Sequence, residues 1–112
     1  LVNRMKRGMR LQSDPTVRYG TDIETDRPIS KADLRRKTPW NTYVITGLPK
    51  TPICNPSLNS LEAALNPADS DFLYFVSDGF GGLRFAKTLD VHNKNVRLFR
   101  AIEAQNPKGL KR

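Results

Sequence analysis

Phe72-Leu73-Tyr74-Phe75-Val76-Ser77-Asp78-Gly79-Phe80-Gly81-Gly82-Leu83-Arg84-Phe85-Ala86-Lys87 reads as one β-hairpin. Residues 72–77 put aromatic and apolar side chains on both alternating faces, the pattern of a strand covered from two sides, so this strand is expected to be central in its sheet. Asp78 to Gly82 supply the turn, and residues 83–87 return. From Thr88 onward Leu89, Val96, Phe99 and Ile102 fall on one side of a helix, which should run to about Gln105 before Asn106-Pro107 ends it. A hairpin feeding a helix sets the fold class as α+β. We expect short helices packed around a small, mainly antiparallel sheet, with a C-terminal β-hairpin followed by a helix.

Upstream of the hairpin the signals are caps and stops. Asn55 before Pro56, with Leu58, Leu61 and Leu65 at spacings of three and four, predicts a helix from Pro56 that Asn66-Pro67 terminates. Ser30 followed three residues later by Asp33 is a capping box, predicting a short helix over 31–37 that must stop before Pro39. Arg35, Arg36 and Lys37 would then face the negative pole of that helix. Residues 20–30 lack periodicity and read as an exposed loop. Ser13-Asp14-Pro15 predicts an N-cap with proline at the first position of a short helix over 15–19. Leu1 to Arg7 reads as the last turns of a basic helix already under way, broken by Gly8. The chain is therefore expected to be part of a longer protein.

The 112 residues suffice for one modest core. A hydrophobic content of 38% without a long apolar run describes a globular chain rather than a disordered or membrane-spanning one. The net charge of +8 sits at the ends: residues 1–20 hold five basic and one acidic group, and residues 84–112 hold eight and two. Such ends could attract a polyanion, whether nucleic acid, lipid headgroups or a carboxylated glycan. Cys54 stands alone, which excludes an intramolecular disulfide and the C-x-x-C zinc patterns, and is expected to be a buried small hydrophobe. His92 lies three residues after Leu89 on the apolar side of its helix, as a structural histidine at a helix–sheet interface would.

The stretch Arg10-Leu11-Gln12-Ser13-Asp14-Pro15-Thr16-Val17-Arg18-Tyr19-Gly20 is polar and turn-rich, yet too particular in composition for a generic loop, and looks like part of a binding cleft. Together with Asn3-Arg4-Met5-Lys6-Arg7-Gly8-Met9, Pro39-Trp40-Asn41-Thr42-Tyr43 and Gly47-Leu48-Pro49 it resembles the catalytic domain of the YceG-like endolytic murein transglycosylases. Asn55-Pro56-Ser57, Ala63-Ala64-Leu65-Asn66-Pro67, residues 71–76, Asp78-Gly79 and His92-Asn93-Lys94-Asn95-Val96 follow the same family's order. Trp40 stands where tyrosine is usual, Lys50-Thr51 replaces a common Pro-Gly, Ser57 replaces glycine, and Leu83-Arg84 replaces histidine and an apolar residue. These departures bear on loop geometry and local substrate contacts.

The resemblance implies that residues 1–107 are the C-terminal part of such a catalytic domain, with a basic tail over 108–112. It implies cleavage of the MurNAc-GlcNAc bond of nascent glycan strands to 1,6-anhydro ends, by a single glutamate acting first as acid and then as base. That glutamate is expected upstream of Leu1, leaving no catalytic residue in this chain. Glu24, Glu62 and Glu103 read as solvated side chains. Substrate-binding residues are expected to be Gln12, Asp14, Thr16, Tyr19, Asn41 and Tyr43. Gln12 and Asn41 suit the acetamido and hydroxyl groups of N-acetylated sugars, while Tyr19, Trp40 and Tyr43 offer flat faces to pyranose rings. Trp40-Asn41-Thr42-Tyr43 is also loosely similar to the Tyr-Asn motif of other lytic transglycosylases. Caps and loop ties for Gln12, Asp14 and Asn41, and core packing for Trp40 and Tyr43, remain open alternatives.

By the same resemblance the parent is a single-pass inner-membrane protein with its catalytic domain outside the cytoplasm. Its substrate is the peptidoglycan glycan strand, it works beside peptidoglycan synthases, and neither metal nor organic cofactor is implied. Nucleic acid is not the expected partner, because no RNA-recognition signature, zinc finger or convincing helix-turn-helix is present. An aminodeoxychorismate lyase, a name carried by some proteins resembling this family, would need a Schiff-base lysine and a phosphate cradle. The glycines from Gly79 to Gly82 sit between strands instead of opening a helix. A non-catalytic glycan-binding or scaffold module is the remaining alternative.

Overall fold

The computed structural model describes residues 1–23 and 27–105. Its elements are α1 (Val2–Lys6), α2 (Pro15–Arg18), α3 (Lys31–Leu34), α4 (Leu58–Leu65), β1 (Tyr74–Ser77), β2 (Leu83–Ala86) and α5 (Leu89–Gln105), an α+β arrangement. The chain divides into two compact units, Leu1–Ala68 and Asp69–Arg112. Glu24 and the tail over 108–112 lie outside the described residues.

In the first unit the helices are short because their ends are drawn into other bonds. The Ser30 hydroxyl accepts from the Asp33 N–H at 3.1 Å while the Ser30 N–H donates to Asp33 Oδ2 at 2.8 Å, completing the expected capping box. The helix nevertheless stops at Leu34 rather than at 37. Its end tightens, the Arg35 and Arg36 N–H groups donating three residues back to the Ala32 and Asp33 carbonyls, while the carbonyls of Leu34 and Arg36 accept from the Asn41 amide nitrogen, at 3.2 and 2.7 Å. α4 begins at Leu58, two residues later than expected, because Ser57 and not Asn55 caps it, accepting from the Ser60 N–H at 3.1 Å. Leu58, Leu61 and Leu65, the stripe that signalled this helix, are 70%, 49% and 81% exposed. Cys54, expected to be buried, is also exposed. It lies between Pro52 and Pro56 in an irregular stretch.

The buried set of this unit is small and half polar: Leu11, Val17 and Ile23 beside Thr16, Asp33, Asn41 and Thr42. Asp33 is held by Arg27 in a two-pronged ion pair, Nη1 to Oδ2 at 3.0 Å and Nη2 to Oδ1 at 3.3 Å. Arg36 reaches both Asp33 and Asp22, at 3.9 and 3.5 Å. The loop before α3 is thus tied to its first turn by charge.

In the second unit β1 and β2 pair antiparallel, with Tyr74 opposite Ala86, Phe75 opposite Phe85, Val76 opposite Arg84 and Ser77 opposite Leu83. α5 packs on the face carrying Tyr74, whose ring stacks on His92 with centroids 5.1 Å apart, and Ala86 beneath is buried. His92 therefore lies at the helix–sheet interface expected of it. Asn95, Val96, Phe99 and Ile102 continue the half-buried stripe of α5. Among the described residues β1 pairs with β2 alone, so it is not the central strand the sequence predicts. The apolar character of its second face goes into an aromatic cluster: Phe85 lies 6.3 Å from Phe75 and 5.5 Å from Phe72, all three partly exposed.

The turn is built on Asp78, whose Oδ1 accepts from the N–H groups of Phe80 at 2.7 Å and Gly82 at 3.0 Å. These backbone bonds hold the Asp78 carboxyl below its ordinary range. A Cβ at position 82 would fall 2.7 Å from Asp78 Oδ2, so any larger residue there would have to displace the carboxylate on which the turn is built. No helix among the described residues is long and apolar enough to cross a membrane.

The hydrogen bond from Arg27, followed by that from the Ser30 N–H, holds the Asp33 carboxyl well below the usual carboxylate range against a desolvation cost. A depressed folded-state value contributes stability above the unfolded value of about 3.9, and that stability is lost as pH falls through the folded value. Asp33→Asn should accordingly lower the urea midpoint at neutral pH. Its gap from the parent should narrow as pH drops below about 4, and a gap independent of pH would contradict the ion-pair account.

Candidate functional site

Six residues singled out in the sequence, Gln12, Asp14, Thr16, Tyr19, Asn41 and Tyr43, all lie in the first unit. Two loops carry most of them, and those loops are sewn together by backbone and hydroxyl groups. The Gln12 N–H donates to the Thr42 carbonyl at 3.2 Å and the Ser13 N–H to Thr42 Oγ1 at 2.9 Å. The Thr42 N–H donates to Thr16 Oγ1 at 3.0 Å, and the two threonine hydroxyls are 2.8 Å apart. Thr16 spends its own proton on the Ser13 carbonyl at 2.6 Å, so the Thr42 hydroxyl must donate to Thr16. Each buried hydroxyl is thereby satisfied as donor and as acceptor.

Thr16 and Asn41 lie beneath the surface, 4% and 0% exposed. The Asn41 amide nitrogen donates to Leu34 and Arg36 as described, and its oxygen accepts from the Tyr43 N–H at 2.9 Å. Their polar atoms serve the loops. Gln12, Asp14 and Tyr19 are exposed and Tyr43 is half-buried. Asp14 occupies the N-cap position of α2 but makes no side-chain cap, since its backbone is helical (φ −54°, ψ −43°). Its carboxylate accepts instead from the Tyr43 hydroxyl at 2.6 Å. Burial first, then this bond and the adjacent negative charge, push the Tyr43 phenol above its ordinary range, so Tyr43 remains a neutral donor across the physiological pH range.

Gln12 has φ +51°, alone among described non-glycine residues in the left-handed region, at a cost of about 1–2 kcal/mol. Its side-chain oxygen accepts from Arg4 Nη1 at 3.3 Å, and the same nitrogen donates to the Arg10 carbonyl at 2.8 Å. Arg10 in turn donates to the Tyr43 carbonyl at 3.4 Å. Arg4 and Thr42, quoted above within longer stretches but not singled out as site residues, are members of this cluster. Arg4 arrives because the chain reverses at Gly8, which no spacing rule encodes.

Tyr19 lies at the flank, its ring 5.4 Å from that of Trp40 and tilted by 54°. Trp40 is half-buried, donates through Nε1 to Thr51 Oγ1 at 2.9 Å, and carries the Lys50 ammonium 5.7 Å above its ring. Gly20 permits this: its φ is +72°, and a Cβ there would stand 3.3 Å from Trp40 Cζ3. The arrangement offers an exposed amide, a neutral phenol, one carboxylate, the guanidinium groups of Arg4 and Arg10 and an aromatic flank, groups able to hydrogen-bond to and stack on a polar ligand. Glu62 and Glu103 are exposed on α4 and α5. Among the described residues no three His, Cys, Asp or Glu side chains converge as a metal site would need.

A model of the YceG-like family matches residues 1–98. The chain is 48% identical over 106 residues to the endolytic murein transglycosylase of Bacillus subtilis (strain 168), covering 95% of this chain and 29% of that protein. It is 34% identical over 100 residues to the endolytic murein transglycosylase of Streptococcus pneumoniae, covering 84% of this chain and 18% of that one. The crystal structure of a YceG-like protein from Listeria monocytogenes superposes with a TM-score of 0.73 at 44% identity, over 83% of this chain and 29% of that chain. The chain thus spans less than a third of the length of these relatives.

Two substitutions separate bracing from contact. Asn41→Ala leaves the Leu34 and Arg36 carbonyls and the Tyr43 N–H without their partner and should cost about 2–3 kcal/mol, read as a lowered urea midpoint. An unchanged midpoint would mean that water replaces the amide. Tyr43→Phe should remove the phenol that ionises above the ordinary value of about 10, which alkaline titration of phenolate absorbance would register. A high-pH component surviving in that variant would assign it to another tyrosine.

Proposed function

The chain belongs to the YceG-like family, and on that premise we propose that it is part of an endolytic peptidoglycan lytic transglycosylase. Residues 1–107 form the C-terminal part of its catalytic domain. The reaction cleaves the MurNAc-GlcNAc bond of a nascent strand. A carboxylic acid protonates the leaving oxygen, then as carboxylate takes the proton of the sugar's own 6-hydroxyl, which closes on the anomeric carbon to give a 1,6-anhydro end. No water is consumed, so one carboxyl group suffices where hydrolases use two. That acid is a glutamate of the parent protein upstream of Leu1, and this chain supplies substrate-holding groups.

In this reading Gln12, Asp14, Tyr19 and Tyr43 face the glycan, and Thr16 and Asn41 position them from below. The observation that carries it is the union, in one cluster, of an exposed amide, a neutral phenol and a tyrosine–tryptophan flank, on a chain 48% identical to a named murein transglycosylase. By family membership the parent is anchored in the inner membrane with this region outside the cytoplasm, beside peptidoglycan synthases. A second reading, a glycan-binding module without chemistry of its own, is favoured for the isolated chain. Asp14, the one acid among the six residues, is committed to the Tyr43 hydroxyl.

Purified peptidoglycan incubated with this chain, and in parallel with a version extended upstream through the expected glutamate, provides the test by muropeptide mass spectrometry. Anhydro products should arise with the extended version alone. Anhydro products from the 112-residue chain would overturn the assignment of the acid. Absence from both folded proteins would remove the transglycosylase reading and leave the binding module.

A further inference from the structure

Arg4 is absent from the set of residues that the sequence nominates, yet it is the group that fixes an exposed polar side chain of the cluster, that of Gln12. The guanidinium carries donors only, so the amide atom facing Arg4 Nη1 at 3.3 Å is the Gln12 oxygen. The Gln12 Nε2 group is consequently the half of the amide left to turn outward. Three further observations hold that orientation. Arg4 is itself anchored, with Nη1 also on the Arg10 carbonyl at 2.8 Å. The Gln12 backbone is pinned on the other side, to the Thr42 carbonyl. Its left-handed φ of +51° is a strained conformation that persists only where surroundings impose it.

Without such a hold a surface glutamine presents either end of its amide and rotates freely. A ligand hydroxyl, being donor and acceptor together, would accept both orientations. A carbonyl accepts only. We infer that Arg4 is a positioning residue that locks Gln12 as a hydrogen-bond donor to the acetamido carbonyl oxygen of an aminosugar, so that the site selects N-acetylated over N-deacetylated glycan. This inference rests on the glycan-strand reading above and specifies which substituent that site requires. A strand whose acetyl group is removed replaces the acceptor by an ammonium group, which the Gln12 NH2 cannot bond and the neighbouring Arg4 repels.

The test uses glycan strands trimmed of their peptides and the same strands after chemical N-deacetylation, titrated into the 112-residue chain by calorimetry. High salt screens the charge difference between the two probes. The parent should prefer acetylated strands by roughly tenfold, the worth of one well-placed hydrogen bond. Arg4→Ala and Gln12→Ala should each erase most of that preference, and the double variant should lose little more than either single one, because both remove the same contact. Arg4→Lys, which keeps the charge but not the two-acceptor hold, should retain only part of it.

A readout independent of ligand is the Gln12 side-chain NH2 resonance pair, which should shift in Arg4→Ala and Arg4→Lys while backbone amide spectra report an intact fold. If Arg4→Ala does not fold, Arg4→Lys and Gln12→Ala carry the comparison. Equal binding of both probes by the parent, or an undiminished preference in the folded Arg4 variants, overturns this inference and leaves the glycan-strand reading standing. No binding of either probe by the folded parent removes both.

Discussion

The hydroxyl pair between Thr16 and Thr42 is the contact on which the first unit turns. It is buried, closed on itself in donors and acceptors, and joins residues 26 apart in sequence across a short distance of 2.8 Å. The apolar side chains buried with it are few, so this unit relies on satisfied polar groups more than on area removed from water. In such a core the polar groups also dictate geometry, because a hydrogen bond tolerates less displacement than an apolar contact. The loop over 10–16 is therefore set in register against 41–43, with Gln12, Asp14 and Tyr43 carried to one side.

That register has a conformational consequence at Gln12. Leu11 turns into the core while Ser13 and Gln12 both bond to Thr42, and the backbone between them has to reverse within one residue. A glycine would relieve the strain but bring no amide. The strain is concentrated where an exposed polar side chain is also oriented from outside by Arg4, the combination expected of groups organised before their ligand arrives.

Much of the secondary structure was legible, because its signals are local. The Ser30–Asp33 capping box, the short helix after Asp14-Pro15, the hairpin turn at Asp78-Gly79 and the stripe of α5 all stand where the sequence puts them. Errors arose at element ends, which periodicity marks poorly. The N–H groups of Arg35 and Arg36 bond three residues back and end α3 early, the helical backbone of Asp14 leaves its carboxylate to Tyr43 instead of a cap on α2, and Ser57 displaces Asn55 at α4. Pattern alone also misread burial: the leucines of α4 and the outer phenylalanines of the hairpin have apolar spacing without apolar cover in this chain. The clustering of Gln12, Asp14 and Tyr43 could be anticipated from family likeness. The bracing role of Asn41 and the arrival of Arg4 depend on how the chain doubles back, which periodicity does not record.

Trp40 is the single tryptophan, and it sits in the first unit against Tyr19, Gly20 and Lys50, beside the loop that bears Asn41 and Tyr43. Indole emission thus originates in one unit, while the aromatic residues of the other are phenylalanines and Tyr74. A melting curve followed by tryptophan fluorescence describes the half of the molecule that holds the candidate site. It licenses a single free energy of unfolding only when a backbone signal such as far-ultraviolet dichroism follows the same course. The same indole, a few ångströms from the exposed Tyr19 ring, gives the candidate site an intrinsic optical label that needs no engineered probe.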